Sequence, residues 1–155
     1  DVCSSDLGPL MDAQAVANQV RDVMFADDAA SRMLGLQITE ISPGRAVATM
    51  TVRADMLNGF SICHGGLIAT LADSAFAFAC NSRNALTVAS GFGIDILKSA
   101  KLGDVLTATA AETSLAGRTG LYDITVTNQH GDLIAVFRGR SHRLGERRVF
   151  DEGTA

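Results

Sequence analysis

The stretch NGFSICHGGLIATLADSAFAFACN, residues 58–81, carries the longest helical signal in the sequence. From position 64 onward most residues are apolar, and five of them are alanines, which favour a helix and add little bulk. A helix that is apolar on most sides is typical of one that other structure surrounds. The sequence therefore predicts one long central helix over residues 64–81.

The segments before this helix predict two short helices and a β-hairpin. Residues 11–26 have apolar side chains at helical spacing, and a short second helix over 29–34 can be capped by Asp27 or Asp28. LQITEIS, residues 36–42, and AVATMTVR, residues 46–53, alternate with period two and are separated by a Pro-Gly turn. This alternation is typical of two paired antiparallel strands.

Four further strand-like segments follow the central helix, divided by short turns typical of an antiparallel meander. Their limits are 86–97, 105–114, 119–128 and 133–143. A sheet of six strands must cover one face with apolar structure, and the alanine-rich helix is the candidate. We therefore expect an α+β domain, with a six-stranded antiparallel sheet wrapped around a long central helix and a helical segment at the N-terminus.

Composition excludes several classes of function. The 155 residues suit one domain, and the net charge of −4, with no basic stripe, argues against a nucleic-acid partner. No apolar run reaches the ~18 residues that span a bilayer, so we expect no membrane partner. Three cysteines without a CxxC pair indicate a reducing cytoplasm, and three widely spaced histidines give no metal-ligand pattern. We predict no metal site and a cytoplasmic protein.

The two ends of the sequence lack the periodicity of the rest. Residues 1–10 precede a methionine, and we predict that they are a non-native leader, outside the natural domain. Residues 11–145 are predicted to form the single domain. The polar segment 146–155 is predicted to be a flexible C-terminal tail.

Asp73 is the anomaly of the central helix. Its neighbours three and four residues away are Ala69, Thr70, Phe76 and Ala77, and an ionised carboxylate among such groups is costly unless it is paired. An exposed or capped aspartate is the ordinary explanation. The alternative is a reactive carboxylate, acting as a nucleophile or as a general base.

Gly65 and Gly66 lie where the central helix begins. The first N–H groups of a helix lack intrahelical partners, and glycine lets a ligand approach the backbone closely. The two glycines could serve only a tight turn. The other interpretation is that the Gly65 N–H stabilises an oxyanion.

The combination of Asn58-Gly59-Phe60, Cys63-His64-Gly65-Gly66 and Leu71-Ala72-Asp73 resembles the hotdog-fold acyl-CoA thioesterases of the PaaI type. The resemblance extends from about residue 28 to residue 145. It implies hydrolysis of acyl-CoA thioesters, among which (hydroxy)phenylacetyl-CoA or a related aryl or medium-chain acyl-CoA is expected. It also implies a homo-oligomer, a dimer of dimers, with no cofactor, since coenzyme A is part of the substrate.

The resemblance gives roles to individual residues. Asp73 is the expected catalytic carboxylate, the Gly65 N–H polarises the thioester carbonyl, and Asn58 orients the substrate. His64 belongs to the same motif, in a role that is more structural than chemical. In this family the site lies at the dimer interface, so Asp73 of one subunit is expected to face Gly65 and Asn58 of the other.

Other interpretations remain open from the sequence. Coenzyme A phosphates need cationic partners, and Lys98 and Arg118 are the candidates, although solvated strand-end charges are the ordinary explanation for each. Phe76, Phe78, Phe60 and Phe92 can line an acyl pocket or be plain core. A hotdog-fold hydratase or dehydratase acting on acyl thioesters, and a non-catalytic acyl-CoA-binding module, are the two alternative functions.

Overall fold

The computed structural model describes residues 11–153. The predicted leader, residues 1–10, lies outside the described residues. The helices are α1 (Ala13–Asp27), α2 (Ala29–Met33) and α3 (Gly65–Asn81), with a 3-10 turn at Ala54–Met56. Asp12 caps α1, and Asp28 caps α2 by accepting a hydrogen bond from the N–H of Ser31. Of the two predicted caps for the second helix, Asp28 is thus the one used.

Six strands form one antiparallel sheet, as the sequence predicts. They are β1 (Gln37–Ser42), β2 (Arg45–Thr51), β3 (Thr87–Ile96), β4 (Val105–Ala116), β5 (Thr119–Thr127) and β6 (Leu133–Arg143). Their order across the sheet is β1-β2-β4-β5-β6-β3. The hairpin β1–β2 and the meander β4–β5–β6 match the predicted pairs.

The position of β3 differs from a simple meander. This strand pairs with β6 rather than with its successor β4, and Ile94 lies opposite Phe137 in that pairing. The segment 97–104 carries the chain from one edge of the sheet back to its middle, beside β2. One long edge of β3 is therefore left without a partner strand in the part of the chain that the structure describes.

The core lies between α3 and the concave face of the sheet. Leu71, Ala75, Phe76 and Phe78 of α3 are fully buried, against small side chains such as Ala108. The alanines let the strands approach the helix closely, because a Cβ is all that projects from them. This packing confirms the predicted hotdog architecture.

The C-terminal segment 144–152, here called the C-terminal strap, lies against the loop between α3 and β3. The Leu144 N–H donates to the Leu86 carbonyl at 2.8 Å, and the Leu86 N–H donates to the Arg147 carbonyl at 3.0 Å. Asn84 binds the main chain of Val149 and Phe150. The flexibility predicted for residues 146–155 stays a prediction.

Candidate functional site

The N-terminus of α3 is capped by a histidine side chain. His64 has extended backbone angles, and its Nδ1 accepts a hydrogen bond from the Gly66 N–H at 3.3 Å. Nδ1 must therefore be unprotonated in this arrangement, which leaves Nε2 to carry the ring proton. His64 thus fixes the entrance of the helix.

The Gly65 N–H is left free by this cap. Within residues 11–153 it has no hydrogen-bond acceptor, while the next two N–H groups are bound by His64. A Cβ added to Gly65 would lie 2.8 Å from Cδ1 of Ile96, whereas one added to Gly66 would meet its nearest atom at 3.5 Å. A Cβ at position 65 would thus have to displace the end of the Ile96 side chain, whereas one at position 66 would fit without a shift.

Asn58 organises the loop that leads to α3. Its Oδ1 accepts hydrogen bonds from the N–H groups of Phe60 and Ile62, at 2.9 Å and 3.4 Å. Its backbone is paired as well, with the Asn58 N–H donating to the Ile62 carbonyl at 2.8 Å. The Nδ2 amide group has no partner among the described residues, so it remains available as a donor.

Asp73 lies halfway along α3 in an open cleft of about 480 Å³, here called the Asp73 cleft. The walls come from the end of α1, from α3, from the start of β3 and from the C-terminal strap. Most of the lining side chains are apolar, Phe76, Leu86 and Val88 among them. A thioester carbonyl beside Asp73 would thus have an apolar space for its acyl group.

The carboxyl group of Asp73 is half-buried and forms no hydrogen bond within the described part of the chain. Burial raises the pKa of Asp73 above its ordinary value, and the nearby negative charge of Asp28 raises this pKa further. Asp28 is held near by Ser31, whose hydroxyl bonds to Asp28 at 2.6 Å and to Ser74 at 2.9 Å. An unpaired carboxylate in such surroundings is typical of a functional group.

One chain does not bring all the predicted site residues together. Asn58, His64 and Gly65 lie at the entrance of α3. Asp73 lies eight residues after Gly65, which is about 12 Å along the helix axis. The Asp73 cleft includes none of those three residues. The entrance and the carboxylate are therefore two half-sites of the same chain.

The exposed edge strand β3 connects these two half-sites. Its end packs on the entrance of α3, through Ile96 against Gly65, and its start lines the Asp73 cleft through Val88. Val88, Phe92 and Ile96 are 44%, 52% and 46% exposed. A β-bulge at residues 89–91 shifts the register, so Phe92 and Ile96 share one face of β3 and Val88 lies out of phase with them. Exposed apolar groups on an unpaired edge are typical of a surface that another strand covers.

A second cleft, of about 360 Å³, adjoins the first one at the end of α3. We call it the arginine cleft, because Arg83, Arg118, Arg143 and Arg148 line it. Arg118 forms no ion pair within residues 11–153. Lys98 lies at the other end of the sheet, where its Nζ is 2.8 Å from the Asp132 carboxylate. The two predicted phosphate-binding residues are thus apart in one chain.

Of the four phenylalanines considered, only Phe76 lines the Asp73 cleft. Phe78 is fully buried in the core, because two residues along a helix turn a side chain to the far side. Phe60 is 86% exposed, and Phe92 stacks on Phe137 with ring centroids 4.7 Å apart.

Sequence reasoning missed the contributions of α1 and of the C-terminal strap to the cleft. Met24 and Asp27 come from α1, and Arg148 and Val149 come from the strap. The one signal for α1 was its apolar face, which had to pack somewhere. The strap carried no such signal.

Two features are absent from residues 11–153, a membrane-spanning helix and a cluster of metal ligands. Among residues 11–153 no helix is long and apolar enough to cross a membrane. Over the same residues no group of three or more His, Cys, Asp or Glu side chains is placed as metal ligands would be. The expected lack of a metal or other cofactor stays a prediction.

Comparisons with known proteins agree with this geometry. A family profile described as "Thioesterase superfamily" matches residues 60–135. The chain is 49% identical to the acyl-coenzyme A thioesterase PaaI of Escherichia coli over 122 residues, which are 79% of this chain and 87% of that protein.

Solved structures support the same assignment. The structure of the E. coli PaaI protein from the phenylacetic acid degradation operon matches with a TM-score of 0.86 and 46% identity, covering 88% of this chain and 99% of that one. A Streptococcus mutans protein solved bound to acetyl CoA matches with a TM-score of 0.70 and 29% identity, covering 73% and 91%. The chain therefore belongs to the thioesterase superfamily and, within it, to the PaaI-type acyl-CoA thioesterases, hydrolases that act on thioester bonds.

Proposed function

We propose that this thioesterase hydrolyses the coenzyme A esters of small aryl or medium-chain acids, with (hydroxy)phenylacetyl-CoA as the first candidate. The observation that carries the proposal is the unpaired carboxylate of Asp73 in a largely apolar cleft of about 480 Å³. The cleft receives the acyl group, and its volume suits an aromatic ring or a medium chain. The origin of E. coli PaaI in the phenylacetic acid degradation operon supports the aryl candidate.

The site is completed by a second copy of the chain. If β3 pairs with β3 of a partner in antiparallel fashion about a two-fold axis near Phe92, the end of β3 in one copy faces the start of β3 in the other. Ile96 of one copy then lies near the bulge at residues 89–91 of the other, next to Val88. Because Ile96 packs on Gly65 and Val88 lines the Asp73 cleft, this pairing places each helix entrance beside the other copy's carboxylate.

In such a dimer each group has one task. The free N–H of Gly65 and the Nδ2 group of Asn58 donate to the thioester oxygen, which becomes negative as the carbon is attacked. His64 holds the helix entrance in place. Asp73 acts in one of two ways: it deprotonates the attacking water, or it attacks the carbon itself to form an anhydride that water then opens. In both routes the carbon–sulfur bond breaks, and the products are the free acid and the coenzyme A thiol.

Lys98 and Arg118 are proposed to contact the phosphates of coenzyme A. They lie at opposite ends of the sheet in one chain, but an antiparallel pairing of β3 brings Lys98 of one copy toward the end that carries Arg118 of the other. Arg118 lies in the arginine cleft and forms no ion pair within the described residues, whereas Arg143 and Arg148 there are paired with Glu146 and Glu152. The S. mutans relative solved bound to acetyl CoA supports a coenzyme A site in this superfamily.

Assembly and location complete the proposal. The exposed β3 edge supports a homodimer, and a dimer of dimers is proposed from the family resemblance. The cysteine content supports a cytoplasmic location. Hydrolysis is favoured over hydration of an acyl thioester by the 49% identity to the acyl-coenzyme A thioesterase of E. coli.

A thiol-release screen across coenzyme A esters tests the function. Phenylacetyl-CoA and medium-chain esters should be hydrolysed, and crotonyl-CoA should not be hydrated. Asp73→Ala should lower kcat by about 10²–10⁴-fold while the protein stays folded. Binding of coenzyme A without turnover of any ester would instead favour the non-catalytic alternative.

A further inference from the structure

The C-terminal strap, residues 144–152, separates the two clefts described above. Cys80, Thr87 and Arg148 line both the Asp73 cleft and the arginine cleft, so the clefts meet at these residues. Arg148 and Val149 of the strap face the Asp73 cleft, while Glu146 and Glu152 face the arginine cleft. The strap is thus a partition in what would otherwise be one longer space.

One buried side chain, that of Asn84, makes four of the hydrogen bonds that hold the strap, in addition to the main-chain bonds between Leu86 and the strap. Asn84 is 3% exposed, and its Oδ1 accepts hydrogen bonds from the N–H groups of Val149 and Phe150, both at 3.0 Å. Its Nδ2 donates to the Phe150 carbonyl and to the Glu152 carboxylate, both at 2.9 Å. Asn84 has a positive φ of 62°, a conformation that asparagine tolerates better than most residues. All four hydrogen bonds of the Asn84 side chain are formed with the strap.

The partition lies on the side of the Asp73 cleft toward the end of α3. Cys80, where the clefts meet, comes seven residues after Asp73, which is about 10 Å along the axis of α3. Arg148 and Val149 of the strap line the Asp73 cleft together with Cys80. An acyl group that extends from Asp73 toward the end of α3 therefore meets the strap.

We propose that the C-terminal strap, positioned by Asn84, is the end wall of the acyl pocket and sets the longest acyl group that the enzyme accepts. The proposal rests on the proposed function, because it assigns the acyl group to the Asp73 cleft. Acyl groups that fit between Asp73 and the strap are accepted. Longer ones require that the strap move aside, and the charged side chains beyond it disfavour an apolar chain.

Two substitutions in the full-length protein test the proposal from opposite directions. Asn84→Gly keeps the backbone conformation and removes all four side-chain hydrogen bonds to the strap, so the wall should loosen. Val149→Phe adds bulk on the cleft side of the wall, so the pocket should shorten. Asn84→Asp retains the two acceptor bonds but turns an oxygen toward the Phe150 carbonyl and the Glu152 carboxylate, so it should loosen the strap in part.

The readout is kcat/KM for coenzyme A esters of straight-chain acids from acetyl to palmitoyl, with melting temperatures measured alongside. Asn84→Gly should raise kcat/KM for the longest esters, relative to the short ones, about tenfold or more. Val149→Phe should move the cut-off to shorter chains, and Asn84→Asp should stay closer to the wild type than Asn84→Gly does.

A chain-length profile unchanged in both Asn84→Gly and Val149→Phe would overturn the strap as the end wall. An equal loss for all esters would do the same, since it would indicate a purely structural role. The wild type separates this from the larger question. If the wild type hydrolyses none of the esters, the proposed function and the wall both fall, whereas wild-type turnover with an unaltered profile overturns the wall alone.

Discussion

Gly65, the first residue of α3, packs so closely on Ile96, the last residue of β3, that a Cβ at Gly65 would lie 2.8 Å from Cδ1 of Ile96. This contact joins the helix entrance to the exposed edge strand. It makes the place of the Gly65 N–H depend on β3, the strand proposed to pair with a second copy. The following predictions concern the entrance, the carboxylate and that edge.

Gly65→Ala is expected to lower kcat by about 10²-fold or more, because the added Cβ crowds the place where the thioester oxygen meets the Gly65 N–H and also displaces Cδ1 of Ile96. Gly66→Ala is the matched control, since its Cβ would meet its nearest atom at 3.5 Å, an ordinary contact. Thiol release by the two variants checks the difference. Replacing Ile96 by Val in the Gly65→Ala background removes Cδ1 and should restore part of the rate. Equal activity of Gly65→Ala and Gly66→Ala would contradict the role of the Gly65 N–H as the oxyanion donor.

Asp28→Asn should move the acid limb of the pH–rate profile to lower pH. The negative charge of Asp28 raises the pKa of Asp73, and activity needs ionised Asp73, so it is lost as pH falls through that pKa. Removing the charge lowers the pKa and extends activity toward acid. Asparagine is also a good helix cap, so α2 should keep its start. The measurement is kcat against pH, with Asp22→Asn as a control; a shift toward higher pH would speak against the coupling.

Asp73→Asn should abolish most activity and yet stabilise the protein at neutral pH. Folding raises the pKa of Asp73 above 3.8, so this carboxyl group favours the folded state when it is protonated and opposes it once ionised. Stability from this group is therefore lost as pH rises through the folded-state pKa. The amide variant should be modestly more stable at pH 7, since solvent screens part of the charge of this half-buried group, with a smaller gain near pH 4.

Thermal unfolding of the wild type and Asp73→Asn at both pH values measures this gain. A lower melting temperature of the variant at pH 7 would mean that the carboxylate is well paired in the protein in solution, contrary to its place in the cleft.

Phe92→Asp should dissociate the oligomer and remove activity together. Phe92 is 52% exposed near the proposed two-fold axis, where two opposed carboxylates would repel each other. Met33→Asp, at a residue of α2 that is 67% exposed, is a control for the loss of an exposed apolar side chain. Sedimentation and thiol release at the same protein concentration give both readouts. Full activity of a Phe92→Asp monomer would rule out a shared site.

The sequence predicts the elements of this fold well because their signals are local. The alanine run marks α3 to within one residue of its start at Gly65, and period-two alternation marks the β1–β2 hairpin. It does not predict that β3 pairs with β6, since alternation identifies a strand but not its neighbour.

The candidate site likewise combines features that are local in sequence with contacts between distant residues. The carboxylate and the free helix entrance are visible as Asp73 and Gly65 because an isolated charge and a glycine pair stand out locally. The influence of Asp28 on Asp73 and the hold of Asn84 on Phe150 cannot be predicted in that way. Both contacts join residues that are far apart in sequence and meet only in the folded chain. A polar segment such as the strap has no periodicity from which its contacts could be predicted.

The site shared between two copies is tested most directly by co-expressing Asp73→Ala and Gly65→Ala chains in equal amounts. A mixed dimer has one site with an intact Asp73 from one chain and an intact Gly65 from the other, and one site that lacks both. Random pairing should therefore restore about a quarter of wild-type specific activity, well above either variant alone. Activity no greater than the mean of the two parent variants would contradict the account, because it would place the whole site within one chain.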